Sequence, residues 1–171
     1  MHILLATDAD WIVDEVTAAL GDDDVHFTVC REGRAVAGQV SERMPDIAVL
    51  DLQVGSMGAM AVTMSLRLDE SAGAVGHVPV LMLLDRRADL HLARRSGANG
   101  WLVKPLDALR LRRAVDAILA GRQYNEGLAA DAPPVDPMVP LPDDVAADSP
   151  EVEPATAGLH CDPLRGVAQL G

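Results

Sequence analysis

Four short polar groups carry most of the chemistry available to this sequence. Thr7-Asp8-Ala9-Asp10, Asp51, Asp85-Arg86 and Lys104-Pro105 lie far apart in the chain, yet each directly follows a short apolar run. Crowded carboxylates repel one another, and a divalent cation relieves that repulsion. Oxygen donors of this kind suit Mg²⁺, which keeps several of its waters. Lys104 is the single lysine beside thirteen arginines. A compact ammonium acts as a point charge on a phosphoryl oxygen where a forked guanidinium does not fit. The plain alternative for Lys104-Pro105 is a strand-to-helix turn.

The elements that must position these groups can be read from periodicity. Ile3–Ala6, Ile47–Leu50, Val78–Leu84 and Trp101–Val103 are continuous apolar runs, and Val25–Cys30 is a fifth with polar breaks. Continuous rather than alternating runs suit strands buried on both faces, as in a parallel sheet. Between them, Ile12, Val16, Ala19 and Leu20 share a helical face. So do Val36, Val40 and Met44, and so do Leu111, Val115, Ile118 and Leu119. Gly21 and Gly121 are read as helix stops, and Asp107 as the cap of the last helix. Five β/α units predict an open sheet covered on both sides, with ligands bound beyond the C-terminal strand ends.

Composition divides the chain near Gly121. Residues 1–121 carry twelve basic residues against seventeen acids, net −5; residues 122–171 carry Arg122 and Arg165 against nine acids, net −7. Eight of the eleven prolines lie in that second part, with few large apolar residues to offset the entropy of ordering it. We read 122–171 as a mostly disordered acidic tail without a second folded effector domain. The overall charge of −12 argues against nucleic acid or anionic lipid as the main partner. No apolar run approaches the ~18 residues of a membrane span. Cys30 and Cys161 form no C-x-x-C pattern, so a reducing cytoplasm is the expected setting. The five histidines match no metal motif; His2, His26 and His77 border strands and read as surface or partly packed residues.

Three stretches together resemble the response-regulator receiver domain of two-component signalling. They are Pro45-Asp46-Ile47-Ala48-Val49-Leu50-Asp51, Val78-Pro79-Val80-Leu81-Met82, and Gly97-Ala98-Asn99-Gly100-Trp101-Leu102-Val103-Lys104-Pro105-Leu106. The resemblance covers residues 1–121. It implies a flavodoxin-like doubly wound α/β fold with five parallel strands in the order 2-1-3-4-5. It implies that Asp51 is the phosphoacceptor and that Lys104 pairs with the phosphoryl group, with a cis peptide before Pro105. It implies Mg²⁺ bound by Asp8, Asp51 and the backbone carbonyl of Gln53. Trp101 falls where the family has an inward-swinging Tyr or Phe. The implied partners are a sensor histidine kinase or phosphotransfer protein and an output protein. No enzymatic activity is implied beyond gain and loss of the phosphoryl group at Asp51.

The sequence departs from the family pattern in places that matter. Thr7 replaces the first of two adjacent acids, which should weaken Mg²⁺ binding. Leu84 replaces a Thr or Ser and cannot hydrogen-bond a phosphoryl oxygen. Asp85 replaces a small residue; it either adds a metal ligand or repels an incoming phosphoryl group. The loop after Asp51 lacks the usual Pro and Asp. Without a hydroxyl at Leu84, Trp101 reads better as an apolar plug on the fifth strand than as a switch. The pairs Arg86–Arg87, Arg94–Arg95 and Arg112–Arg113 are expected on the fourth and fifth helices, either as solvated faces or as a homodimer or docking surface. These departures support an alternative function, a receiver-like binding module not switched by phosphorylation. A phosphatase reading of Asp8-Ala9-Asp10 is weaker, because Asp10 is expected to cap the first helix.

Overall fold

A computed structural model describes residues 1–126. Strands and helices alternate along the chain: β1 (His2–Ala6), α1 (Asp10–Leu20), β2 (His26–Cys30), α2 (Ala35–Glu42), β3 (Ile47–Asp51), α3 (Ala59–Ser71), β4 (Val80–Leu84), α4 (Leu90–Arg95), β5 (Gly100–Val103), α5 (Ala108–Leu119) and β6 (Tyr124–Asn125). All strand pairs are parallel, in the order β2-β1-β3-β4-β5-β6. The doubly wound fold and the 2-1-3-4-5 order agree with the expectation. The sixth strand was not expected. It lies beyond Gly121, so the folded part extends at least to residue 126. The rest of the tail, 127–171, lies outside the described residues.

The continuous apolar runs are explained by two-sided burial. Every residue of β1, β3 and β4 is buried. Successive side chains point to opposite faces of a strand. Leu4, Ala6, Ala48, Leu50, Val80, Met82, Leu84 and Trp101 therefore pack with α2, α3 and α4. Ile3, Leu5, Ile47, Val49, Leu81, Leu83 and Leu102 pack with α1 and α5. In register, Ala6, Leu50, Met82 and Trp101 form one row across the sheet. The row lies one residue before Thr7 and Asp51 and three before Asp85 and Lys104, so the core fixes where they emerge.

Some finer expectations are corrected. Met44 is exposed because α2 ends at Glu42, and the following Pro45 disfavours helical backbone at residue 44. Leu119 is exposed because it sits a 100° step around α5 from Ile118, off the buried face. Asp107 does cap α5, accepting from Arg110 N–H at 2.9 Å. Asp10 is not a cap: α1 begins after Ala9 without a side-chain cap, and Asp10 pairs with Arg31 at 2.6 Å. Gly121 has the positive φ of a helix stop, 73°. Gly21 does not; a Cβ there would lie 2.4 Å from the Thr17 carbonyl oxygen, so close approach rather than handedness explains the glycine. His2 is buried, with Nε2 2.9 Å from Thr28 Oγ1. Arg86 and Arg87 precede α4, and Arg112 donates inward to the Ala19 carbonyl at the end of α1.

At the opposite end of the sheet from the polar groups, Arg67 ties α3 to β4 and to the turn before β5. It donates to the carbonyls of Gly97 (2.9 Å) and Val78 (3.1 Å) and to Asn99 Oδ1 (2.8 Å), and pairs with Glu70. Glu70 and Asn99 in turn accept the N–H groups of Val78 and Val80. Burial lowers the Arg67 pKa, against the pull of Glu70.

Candidate functional site

The C-terminal ends of β1, β3, β4 and β5 deliver Thr7, Asp51, Asp85 and Lys104 to one place. Asp51 closes β3 and its side chain is only 2% exposed. A carboxylate this deep needs partners. Lys104 Nζ donates to Oδ1 at 2.6 Å, and the Thr7 hydroxyl donates to Oδ2 at 2.9 Å. Gln53 N–H lies 3.4 Å from Oδ1. Thr7 is wholly buried, and its hydroxyl oxygen also accepts from Ala9 N–H at 3.2 Å. The threonine that replaces an acid is thus a working part of the site, which its residue type alone did not indicate.

Lys104 is shared. Nζ also donates to Asp85 Oδ1 at 2.9 Å and stands 5.6 Å from the centre of the Trp11 ring, a half-exposed aromatic at the start of α1. Burial opposes the ammonium charge, but hydrogen bonds and charges from Asp51 and Asp85 outweigh it and raise the Lys104 pKa. Trp11 is a site residue that sequence reasoning missed. An aromatic at the first turn of a helix beside an acidic loop was the available signal.

Asp85 turns Oδ1 to Lys104, so the ammonium offsets part of the repulsion between Asp51 and Asp85. Among the described residues, no three His, Cys, Asp or Glu side chains are grouped to hold a metal. What remains for a cation is Asp8, exposed on the loop after β1, Asp51, and main-chain carbonyls of the loop after β3, where Gln53 lies. These are hard oxygen donors, the kind Mg²⁺ takes while keeping most of its waters.

The two remaining residues singled out in the sequence are core residues here. Leu84 is fully buried in the layer facing α2, α3 and α4, together with Trp101. Trp101 is 2% exposed, and its indole N–H donates to the Glu126 carbonyl at 3.0 Å. The peptide between Lys104 and Pro105 is cis, as the resemblance implied.

A doubly wound sheet with a lysine-bound aspartate at the end of its third strand is the arrangement of a receiver domain. The chain belongs to the response-regulator receiver domain family, whose pattern matches residues 3–116. The transcriptional regulatory protein CseB of Streptomyces avermitilis is 28% identical over 161 residues, covering 93% of this chain and 65% of CseB. The chain therefore spans a little under two thirds of that relative. Protein PilH of Pseudomonas aeruginosa is 25% identical over 122 residues, 70% of this chain and 98% of PilH. A solved receiver domain from a Pseudomonas aeruginosa sensor histidine kinase, with a magnesium ion coordinated in its active-site cleft, matches the fold. Its TM-score is 0.58 at 19% identity, over 70% of this chain and 97% of that one. No helix among the described residues is long and apolar enough to cross a membrane.

Proposed function

We propose that this receiver accepts a phosphoryl group on Asp51 and signals through protein contacts. One observation carries the reading: a buried carboxylate at a strand end is held on the only lysine of the chain, 2.6 Å away. Asp51 attacks the phosphorus of a phosphohistidine or a small acyl phosphate. The new P–O bond forms as the donor's P–N or P–O bond breaks. The electron pair leaves with the imidazole, which takes up a proton, or with the carboxylate of the acyl phosphate. Lys104 then pairs with the phosphoryl oxygens, its ammonium exchanging one anion for another. Asp8, Asp51 and the Gln53 carbonyl would hold Mg²⁺, which supplies charge neutralisation when bound.

A phosphoryl group adds about −1.5 to −2 charges. Leu84 offers it no hydroxyl, so any response runs through Lys104 and the loops rather than through a hydroxyl at the end of β4. The partners belong to the same proposal: a histidine kinase or phosphotransfer protein as donor and an output protein as reader, in the cytoplasm. A homodimer through α4 and α5 remains part of it for Arg95 and Arg113, both exposed, but not for Arg112, which is used internally. The phosphorylation-independent alternative is not favoured, because the Asp51–Lys104 pair is retained and Thr7 supports it.

The test is intact mass after incubation with Mg²⁺ and acetyl phosphate, with Asp51→Asn alongside. One added phosphoryl group, lost in the variant, is expected. No gain from acetyl phosphate or from a phosphorylated histidine phosphotransfer protein would overturn the proposal.

A further inference from the structure

The chain beyond α5 returns to the sheet and grips the residues on either side of Lys104. Val103 N–H donates to the Glu126 carboxylate at 2.8 Å. The Val103 carbonyl accepts from Arg110 Nη2 at 3.0 Å, and the Pro105 carbonyl accepts from Arg110 Nη1 at 3.1 Å. Arg110 Nη2 also pairs with Glu126. Glu126 and Arg110 therefore hold the backbone both before and after the site lysine, whose own N–H is given to the Leu84 carbonyl at 2.8 Å. The Glu126 carbonyl meanwhile accepts the buried Trp101 indole N–H. One residue thus touches the strand, the aromatic plug and the arginine.

A separate observation shows that β5 is shaped for this contact. A Cβ on Gly100 would lie 2.6 Å from the Tyr124 carbonyl oxygen and 3.2 Å from Tyr124 Cβ. Only a residue without a side chain lets β6 come so close. Glu126 lies outside residues 3–116, the part matched to the family. Its bonds are charge-assisted, which places them among the stronger kind. Removing Glu126 would also leave Arg110, whose buried Nε already lacks a hydrogen-bond partner, with less compensation.

We propose that Glu126 is a positioning residue for Lys104, and that Tyr124–Glu126 form a clasp coupling the chain beyond α5 to the Asp51 site. Its consequence for phosphoryl transfer rests on the function proposed above; the mechanical coupling to Lys104 does not. A pull transmitted along the chain to residue 126 is borne by the Glu126 bonds. Coupling of this kind is reciprocal: whatever rearranges Lys104 alters the grip on Glu126 by the same factor.

Because Lys104 is the only lysine, its state can be read in the full-length protein without phosphorylation. To react with an amine-directed acylating reagent at fixed pH, Nζ must leave both carboxylates. Peptide mapping separates its labelling from that of the amino terminus. Glu126→Ala and Glu126→Gln should each raise the Lys104 labelling rate about fivefold or more, the low end of ordinary site-to-site coupling. Glu126→Asp, which keeps the charge, should recover part of the effect. In a Trp11→Phe background, the emission of Trp101 should shift with the same variants. A labelling rate within twofold of wild type while Trp101 emission shows an opened clasp would overturn the proposal. So would failure of both variants to fold, because Glu126 would then be part of the fold's foundation rather than a clasp upon it. If labelling responds but the wild-type protein takes up no phosphoryl group, the clasp stands and the phosphoacceptor reading falls.

Discussion

Thr7→Val removes one hydroxyl and keeps the shape of a wholly buried side chain. Judged by burial alone, the exchange should be nearly neutral. The hydrogen bonds say otherwise. The hydroxyl donates to a carboxylate oxygen of Asp51, itself almost completely buried, and accepts the N–H of Ala9. A hydrogen bond to a charged group contributes about 1.5–3 kcal/mol, and a neutral one about 0.5–1.5 kcal/mol. Losing both should cost about 2–4 kcal/mol, since valine offers neither group a substitute. For a folded part of this size, that lowers Tm by roughly 6–15 °C. Urea unfolding followed by circular dichroism would measure the cost, with an unchanged slope confirming an unchanged extent of unfolding. In an Asp51→Asn background the acceptor is neutral, and the same exchange should cost about 1–2 kcal/mol less. A cost below about 0.5 kcal/mol, or an equal cost in both backgrounds, would refute the reasoning. Thr7 would then be filling space, and the Asp51 carboxylate would be unsupported on that side.

Neighbouring contacts support two further perturbations. Asp85→Ala leaves Lys104 to Asp51 and to an incoming phosphoryl group alone; phosphoryl uptake from acetyl phosphate should quicken about two- to fivefold, the scale of a partly exposed ion pair, and slower uptake would mean that Asp85 assists the reaction. Burial raises the Cys30 pKa, so the folded chain keeps that proton to higher pH than the unfolded chain. Its contribution to stability is complete below the unfolded thiol value of about 8.5 and is lost as pH rises through the folded value. Cys30→Ala should flatten the alkaline fall of stability, and an unchanged slope in pH-dependent urea unfolding would contradict the assignment.

Much of the fold was legible because two-sided burial leaves a simple mark. Ile3–Ala6 and Ile47–Leu50 have no polar breaks, and the polar residue after each run emerges at the same sheet edge. Asp51 and Lys104, 53 residues apart, could therefore be placed at one sheet edge before any geometry was known. The partners of that pair were harder to see. Thr7 looked like a loss, since a residue type does not say where its hydroxyl points. Asp85 admits two roles from its residue type, and nothing in the sequence says that its carboxylate turns toward Lys104. Met44 carried a readable cue in Pro45, which the apolar spacing masked. The clasp was least visible. Tyr124-Asn125-Glu126 has no apolar run, comes after a helix stop and opens a segment dominated by proline and acid. Its pairing depends on space left at Gly100, a property of the partner strand rather than of the clasp itself.

That pairing also bears on how the protein avoids unwanted self-association. A parallel sheet ends in two strands whose outward N–H and C=O groups are templates for a foreign strand. On the β5 side the first two positions are taken by Tyr124 and Asn125, and the Val103 N–H is taken by the Glu126 carboxylate. A negatively charged side chain stands where an aggregating strand would have to bond. The β2 side, with half-exposed Phe27 and exposed Val29 among its residues, is left as the more open template among the described residues. Colloidal stability of this chain is therefore lopsided, guarded at one flank by three residues outside the family-matched region and dependent at the other on the solvation of a single short strand.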